Sequence, residues 1–206
     1  MLTDKLKQLS AAMGLAFVSL AAQAGPVNFS FKGTFADANE VQFFNFKADG
    51  SSTVRLVSYG YGGGTQADGT VVHHGGFDSV LALFNSDGLL LAQNDDSKDS
   101  GGCGPSAVNA APNGRIRDAC VDATLAAGDY RVAVVSYGND ALGPTLAEGF
   151  YGDGSFNGFS NAWAFDILNV SSASLPNTNV PEPASLALVA LGLAGAGLAR
   201  RKRSAL

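Results

Sequence analysis

Short runs with a large apolar side chain on every second residue recur through the middle of this chain, and they restrict it to β-structure. Residues 27–35 (VNFSFKGTF) set Val27, Phe29, Phe31 and Phe35 on one side. Similar runs follow at 41–47 (VQFFNFK), 52–59 (STVRLVSY), 79–84 (SVLALF), 89–92 (LLLA), 121–125 (VDATL), 130–137 (YRVAVVSY) and 162–170 (AWAFDILNV). Turn residues punctuate them. Asn85-Ser86-Asp87-Gly88 separates two apolar runs as a hairpin turn does, and Ala126-Ala127-Gly128-Asp129 leads into the run at 130. About eight short strands with turns between them predict an all-β domain, a jelly-roll-like β-sandwich, with Trp163 and the phenylalanines supplying much of its core. Two stretches interrupt the pattern: the Gly-rich residues 60–76, and residues 138–160, which carry Phe150, Tyr151, Phe156 and Phe159. Both are read as long loops, functional or mobile.

The two ends have a different character. Lys5 and Lys7 precede an apolar run at 11–22 (AAMGLAFVSLAA), which closes on Ala22-Gln23-Ala24. Charge, apolar run and small-x-small site, in that order, make residues 1–24 a secretory signal peptide, cut between Ala24 and Gly25. A second apolar run at 184–199 (ASLALVALGLAGAGLA) is followed at once by Arg200, Arg201, Lys202 and Arg203. Its sixteen residues are slightly fewer than the ~20 of an upright span. The basic block fixes its orientation, tail inside and body outside. The expected organisation is a signal peptide (1–24), a β-sandwich ectodomain (25–170), a polar linker (171–180) and a C-terminal segment (181–206) with a transmembrane helix.

Between residues 25 and 180, seven basic residues face sixteen acids, a net charge near −9. Such a body does not condense on nucleic acid, which requires clustered Lys and Arg. It can attract divalent cations. Cys103 and Cys120, the only cysteines, fall in the exported part, where an even count favours one disulfide. The bridge would contribute about 3 kcal/mol by closing its loop in the unfolded chain.

Pro181-Glu182-Pro183, the apolar run and the basic block stand in the order of the PEP-CTERM sorting signal, which this end of the chain resembles. The resemblance implies cleavage near the triplet by an exosortase, a membrane protease-transpeptidase. It also implies a Gram-negative bacterium that makes exopolysaccharide. Export would run through the Sec translocon and signal peptidase, with the chain held transiently in the inner membrane and then passed to the cell surface or beyond.

In the body, Gly76-Phe77-Asp78-Ser79, Leu81-Ala82-Leu83-Phe84, Asp87-Gly88, Asn94-Asp95-Asp96 and Leu125-Ala126-Ala127-Gly128-Asp129-Tyr130 resemble the exported domains with an FDP motif. The same pattern is similar to the pre-peptidase C-terminal domain, a β-sandwich. Ser79 stands where the motif has proline.

Asp78, Asp87, Asp95, Asp96 and Asp99 crowd into about twenty residues at strand ends. Hard cations take six to eight oxygens from carboxylates and loop carbonyls, so Ca²⁺ is the cofactor these residues suggest. The competing reading is that Asp and Asn simply form turns here. His73 and His74 are adjacent, and adjacent strand side chains point to opposite faces, so they do not suit one ion. No G-x-S-x-G nucleophile turn occurs, and only Glu40 and Glu148 represent glutamate in the body, so the expectation is not an enzyme. Tyr59, Tyr61, Tyr137, Phe150 and Tyr151 are expected to be exposed near the Gly-rich loops, where they either stack on sugars or cover the core edge. The function expected is an exosortase-processed surface or matrix protein, non-enzymatic and associated with exopolysaccharide or biofilm. The alternative is a secreted calcium- or carbohydrate-binding module.

Pro181 and Pro183 each lack an N–H and fix φ, which keeps the triplet extended and open to a protease. Replacing Pro181, Glu182 and Pro183 together by alanine is therefore expected to leave the uncut precursor in the inner membrane, seen as a larger species in fractionated envelopes. A variant that is cut and surfaced like the parent would reduce the tail to a plain anchor.

Overall fold

The computed structural model describes residues 25–50 and 52–176. The signal peptide through Ala24, the sorting triplet Pro181-Glu182-Pro183, the apolar run at 184–199 and the basic stop Arg200, Arg201, Lys202 and Arg203 lie outside the described residues. Among the described residues no helix is long and apolar enough to cross a membrane.

Among the described residues, eleven strands account for the regular structure, besides a 3-10 turn at Leu146–Glu148: β1 (Val27–Thr34), β2 (Gln42–Ala48), β3 (Thr53–Ser58), β4 (Gly64–Thr65), β5 (Val71–Val72), β6 (Ser79–Asn85), β7 (Leu90–Asn94), β8 (Cys120–Thr124), β9 (Gly128–Ser136), β10 (Ala162–Val170) and β11 (Ser172–Ser174). All eight expected strands form, each within two residues of its expected bounds. The other three are short. β4 and β5 pair with each other inside the Gly-rich stretch. β11 pairs with β2, so the first residues assigned to the linker belong to a sheet.

The strands form two antiparallel layers. One has the order β1-β10-β3-β8 and the other β11-β2-β9-β6-β7. The eight long strands pair in a nested way: β6 with β7, β3 with β8, β2 with β9 and β1 with β10. The chain is a hairpin of hairpins, wound so that its first and last long strands lie side by side.

The period-2 pattern aims one face of each layer at the other. Val54, Leu56, Val121, Trp163, Phe165 and Ile167 from the first sheet meet Phe44, Phe46, Leu81, Leu83, Val132 and Val134 from the second in one buried cluster. Phe44 is its hub, with ring centroids 4.6 Å from Phe31, 5.2 Å from Phe165 and 5.7 Å from Trp163. A fully buried aromatic of this kind contributes roughly 2–3 kcal/mol by removal from water.

The outer faces are covered too. Residues 138–160 lie over the second sheet, where Ala141, Leu146 and Phe150 pack on Val80, Ala82, Phe84, Ala133 and Val135. This is why β6 is buried at six consecutive positions on both of its faces. Over the first sheet, Cys103, Ala107, Val108 and Ile116 pack on Val57 and Cys120. Cys103 and Cys120 are joined there, with Cα atoms 5.5 Å apart. Residues 138–160 and the disulfide-bridged segment are thus packed covers.

Residues 60–76 are held by two buried carboxylates. Asp118, with no solvent exposure, accepts hydrogen bonds from Tyr61 N at 3.0 Å, Gly62 N at 2.6 Å and Ser58 Oγ at 3.2 Å. Asp166 of β10 accepts from Gln66 Nε2 at 2.9 Å and Ala67 N at 2.8 Å. Gly62 is required by a close approach, since a Cβ there would meet the Asn109 carbonyl oxygen at 2.1 Å.

Replacing Asp118 by alanine would leave the backbone N–H groups of Tyr61 and Gly62 without an acceptor, while Ser58 Oγ would keep the Ala119 carbonyl. The variant is expected to lose about 3 kcal/mol of stability in urea unfolding. Loss below 1 kcal/mol would show that this carboxylate does not pin the loop.

Candidate functional site

The hairpin register determines which acids meet. β6 pairs with β7 through Leu81↔Asn94, so the residue before β6 lies beside those after β7. Asp78, Asp95 and Asp96 therefore gather at one end of the hairpin, each offering a carboxylate oxygen within 4.8 Å of the others. Asn94 fixes the turn. Its Oδ1 accepts from Cys120 N at 2.9 Å, and its Nδ2 donates to the Asp96 carbonyl at 3.0 Å. Ser97 N then donates to the Asp118 carbonyl at 3.0 Å.

Two of the five acids expected in this cluster are elsewhere. Asp87 sits in the turn at the opposite end of the hairpin, its N–H donating to Asn85 Oδ1 at 3.0 Å. Seven residues of β6 separate it from Asp78, about 20 Å of extended chain. Asp99 points outward and pairs with Lys98 at 3.1 Å, its side chain 59% exposed. Density of aspartate along the sequence could not separate these two, which have turn roles, from the three that converge.

The environment of the three is unusual for carboxylates. Asp78 is 2% exposed, and its Oδ2 accepts from Arg117 Nη1. Asp96 Oδ2 accepts from Lys98. Of the remaining oxygens, Asp78 Oδ1, Asp95 Oδ1 and Asp96 Oδ1 are buried without a hydrogen-bond partner, as is Ser97 Oγ. Burial pushes the Asp95 carboxyl up to about 7, reinforced by the charges of Asp78 and Asp96 and opposed by Arg117. Burial likewise raises Asp78, against the lowering effect of its ion pair with Arg117. Asp118 rises to about 6, again through burial, although three donors favour its charged form.

Arg117 is the residue that the sequence did not single out. It reaches Asp78 from the segment before β8, and its guanidinium also lies 5.7 Å from the centre of the Tyr61 ring. The acids form part of a cleft of about 600 Å³ whose walls include Tyr61, Arg115, Tyr137 and Phe159. Of the aromatics expected at the surface, Tyr137 and Tyr151 are exposed. Tyr61 is buried, with its ring 5.0 Å from Phe159. Tyr59 is half-buried, and Phe150 packs against Phe43 and Phe84. His73 and His74 are exposed and line a different cleft, beside Trp163 and β5.

The other end of the chain carries a sequence signature of its own. Residues 179–203 match the PEP-CTERM protein-sorting motif. The match makes this an exported protein and an exosortase target, anchored transiently in the membrane before cleavage. No curated protein matches the chain.

The raised Asp95 carboxyl has a consequence for stability. Its folded value near 7 lies above the unfolded value of about 3.9, so the native state keeps a proton that the unfolded chain loses. That contribution is complete below pH ~4 and is lost as pH rises through about 7. In EDTA, Asp95→Asn is therefore expected to match the parent at pH 4 and exceed it at pH 8 by about 1–2 kcal/mol, a figure reduced for the group's partial exposure. Urea unfolding at the two pH values measures this. Equal stability at pH 8 would mean that the charged cluster costs nothing.

Proposed function

We propose that the chain is a non-enzymatic surface or matrix protein, delivered by an exosortase acting near Pro181-Glu182-Pro183, whose sandwich associates with extracellular polysaccharide. The sorting motif at 179–203 supports the delivery route. The nested strand pairing supports a jelly-roll domain. Resemblance to FDP-motif exported domains has support in the roles of its residues: Phe77 is buried and stacks on Phe35 at 5.2 Å, while Asp78 pairs with Arg117 at the head of β6. These are roles in a scaffold.

The observation that carries the polysaccharide reading is the cleft wall. Tyr137 is 48% exposed and Phe159 39% exposed, and both border the same cleft as Arg115. Flat rings present an apolar face to the C–H face of a sugar, and a guanidinium donates to hydroxyls and carboxylates. Arg115 forms no ion pair among the described residues, which leaves its charge for a ligand. The alternative reading, a calcium- or carbohydrate-binding module with a specific ligand, is favoured by the acid cluster at the floor of that cleft.

Retention on the producing cell's own exopolysaccharide tests the first reading. Tyr137→Ala combined with Phe159→Ala is expected to be retained about tenfold less than the parent. A parent that passes through unretained would overturn the polysaccharide association, and the sorting route would stand regardless.

A further inference from the structure

The geometry points to a Ca²⁺ site formed by Asp78, Asp95 and Asp96 alone, closing the junction between the β6–β7 hairpin and the disulfide-bridged segment before β8. This deepens the calcium-module reading and rests on it.

Three observations converge. The first is unsatisfied oxygens. Asp78 Oδ1, Asp95 Oδ1 and Asp96 Oδ1 are buried acceptors without donors, and Asp78 is 2% exposed. The neighbouring cations are already engaged on the other oxygens, Arg117 on Asp78 Oδ2 and Lys98 on Asp96 Oδ2. A water molecule has two protons to donate and cannot satisfy three carboxylate oxygens. A cation can, because it accepts all of them at once.

The second is size and hardness. Ca²⁺ takes oxygens at about 2.3–2.6 Å, so ligands on opposite sides of the ion are roughly 4.6–5.2 Å apart and adjacent ones closer. One carboxylate oxygen from each acid lies within 4.8 Å of the others, a spread that an ion of this size spans. Mg²⁺ needs about 2.0–2.1 Å and strict octahedral order, a tighter set than three side chains on two strand ends impose. The cluster holds no sulfur or imidazole, so softer metals gain nothing there. Ser97 Oγ, with no solvent exposure and no partner, is the next oxygen along the chain.

The third is charge. Three carboxylates face two cations in contact with them, Arg117 on Asp78 and Lys98 on Asp96, which leaves the cluster one net negative charge. That excess favours a cation over an anion.

The bound ion would act as a rivet. Asp78 immediately precedes the core strand β6, whereas Asp95 and Asp96 begin the segment that runs through Cys103 to β8. With three carboxylates and loop-type donors, the affinity expected is that of extracellular calcium modules, Kd about 10⁻⁴–10⁻³ M.

The test uses the exported protein isolated from the envelope, stripped with EDTA and titrated with CaCl₂ or MgCl₂ alone. At tenfold excess over Kd, CaCl₂ should raise Tm by about 3–6 °C, and MgCl₂ by less. Tb³⁺ should give tyrosine-sensitised luminescence through Tyr61 and Tyr137, displaced by CaCl₂. Asp95→Asn and Asp96→Asn should each lose the Tm rise and the Tb³⁺ signal while keeping the parent's circular dichroism. Asp87→Asn and Asp99→Asn should retain both. Asp78→Asn is avoided, because it would strand Arg117. A parent with no Tm rise at 10 mM CaCl₂ would overturn the site, as would Asp95→Asn and Asp96→Asn variants that respond like the parent. Repeating the polysaccharide retention in EDTA separates the two ideas: retention without a calcium response would leave the surface reading intact and remove only the ion.

Discussion

A carboxylate without solvent access holds the cleft end of this sandwich together. Asp118 collects the N–H groups of Tyr61 and Gly62 and the hydroxyl of Ser58, while its own carbonyl receives Ser97 N. One residue thus ties strand β3, the Gly-rich loop and the turn that carries Asp95 and Asp96. Its neighbour Arg117 is aimed at Asp78 by the same backbone path. Burying an acid here has a cost, visible in its upward shift to about 6. The return is positional: the carboxylates of the cluster cannot drift apart while Asp118 keeps its donors.

The sandwich is unusual in needing cover on both outer faces. Alternation alone predicts one buried and one wet face per sheet. β6 and β9 carry Val80, Ala82, Phe84, Ala133 and Val135 on the face turned away from the main core. Those side chains make residues 138–160 obligatory, since their removal would expose a contiguous apolar patch. The disulfide-bridged segment does the same over Val57. The loops therefore have two masters: packing on the sheet behind them and forming the cleft in front.

The strands were legible because each carries its own period, and the nested pairing then follows from which apolar faces must meet. The disulfide was legible from cysteine count and compartment. β4, β5 and β11 were not, because two or three residues are too few to show a period. Their pairing comes from partners supplied elsewhere, as with Ser172↔Lys47. The long loops looked mobile because Gly and Asn dominate their composition. The sequence does not show that Asp118 and Asp166, some fifty and a hundred residues further on, supply their acceptors. The same distance effect hid Arg117, and it made Asp87 look equivalent to Asp95. Membership of the cluster depends on which end of the hairpin a residue occupies.

The side-by-side placement of the first and last long strands makes closure of the first sheet wait for the C-terminal end of the domain. β10 lies between β1 and β3, so the first sheet stays open until residue 170 has crossed the membrane. Eleven more residues include Pro181. The moment at which the domain can close is therefore almost the moment at which the sorting triplet arrives. Residues 175–180 reach at most about 20 Å when fully extended. The strand that completes the first sheet is thus the long strand nearest in sequence to the sorting motif at 179–203.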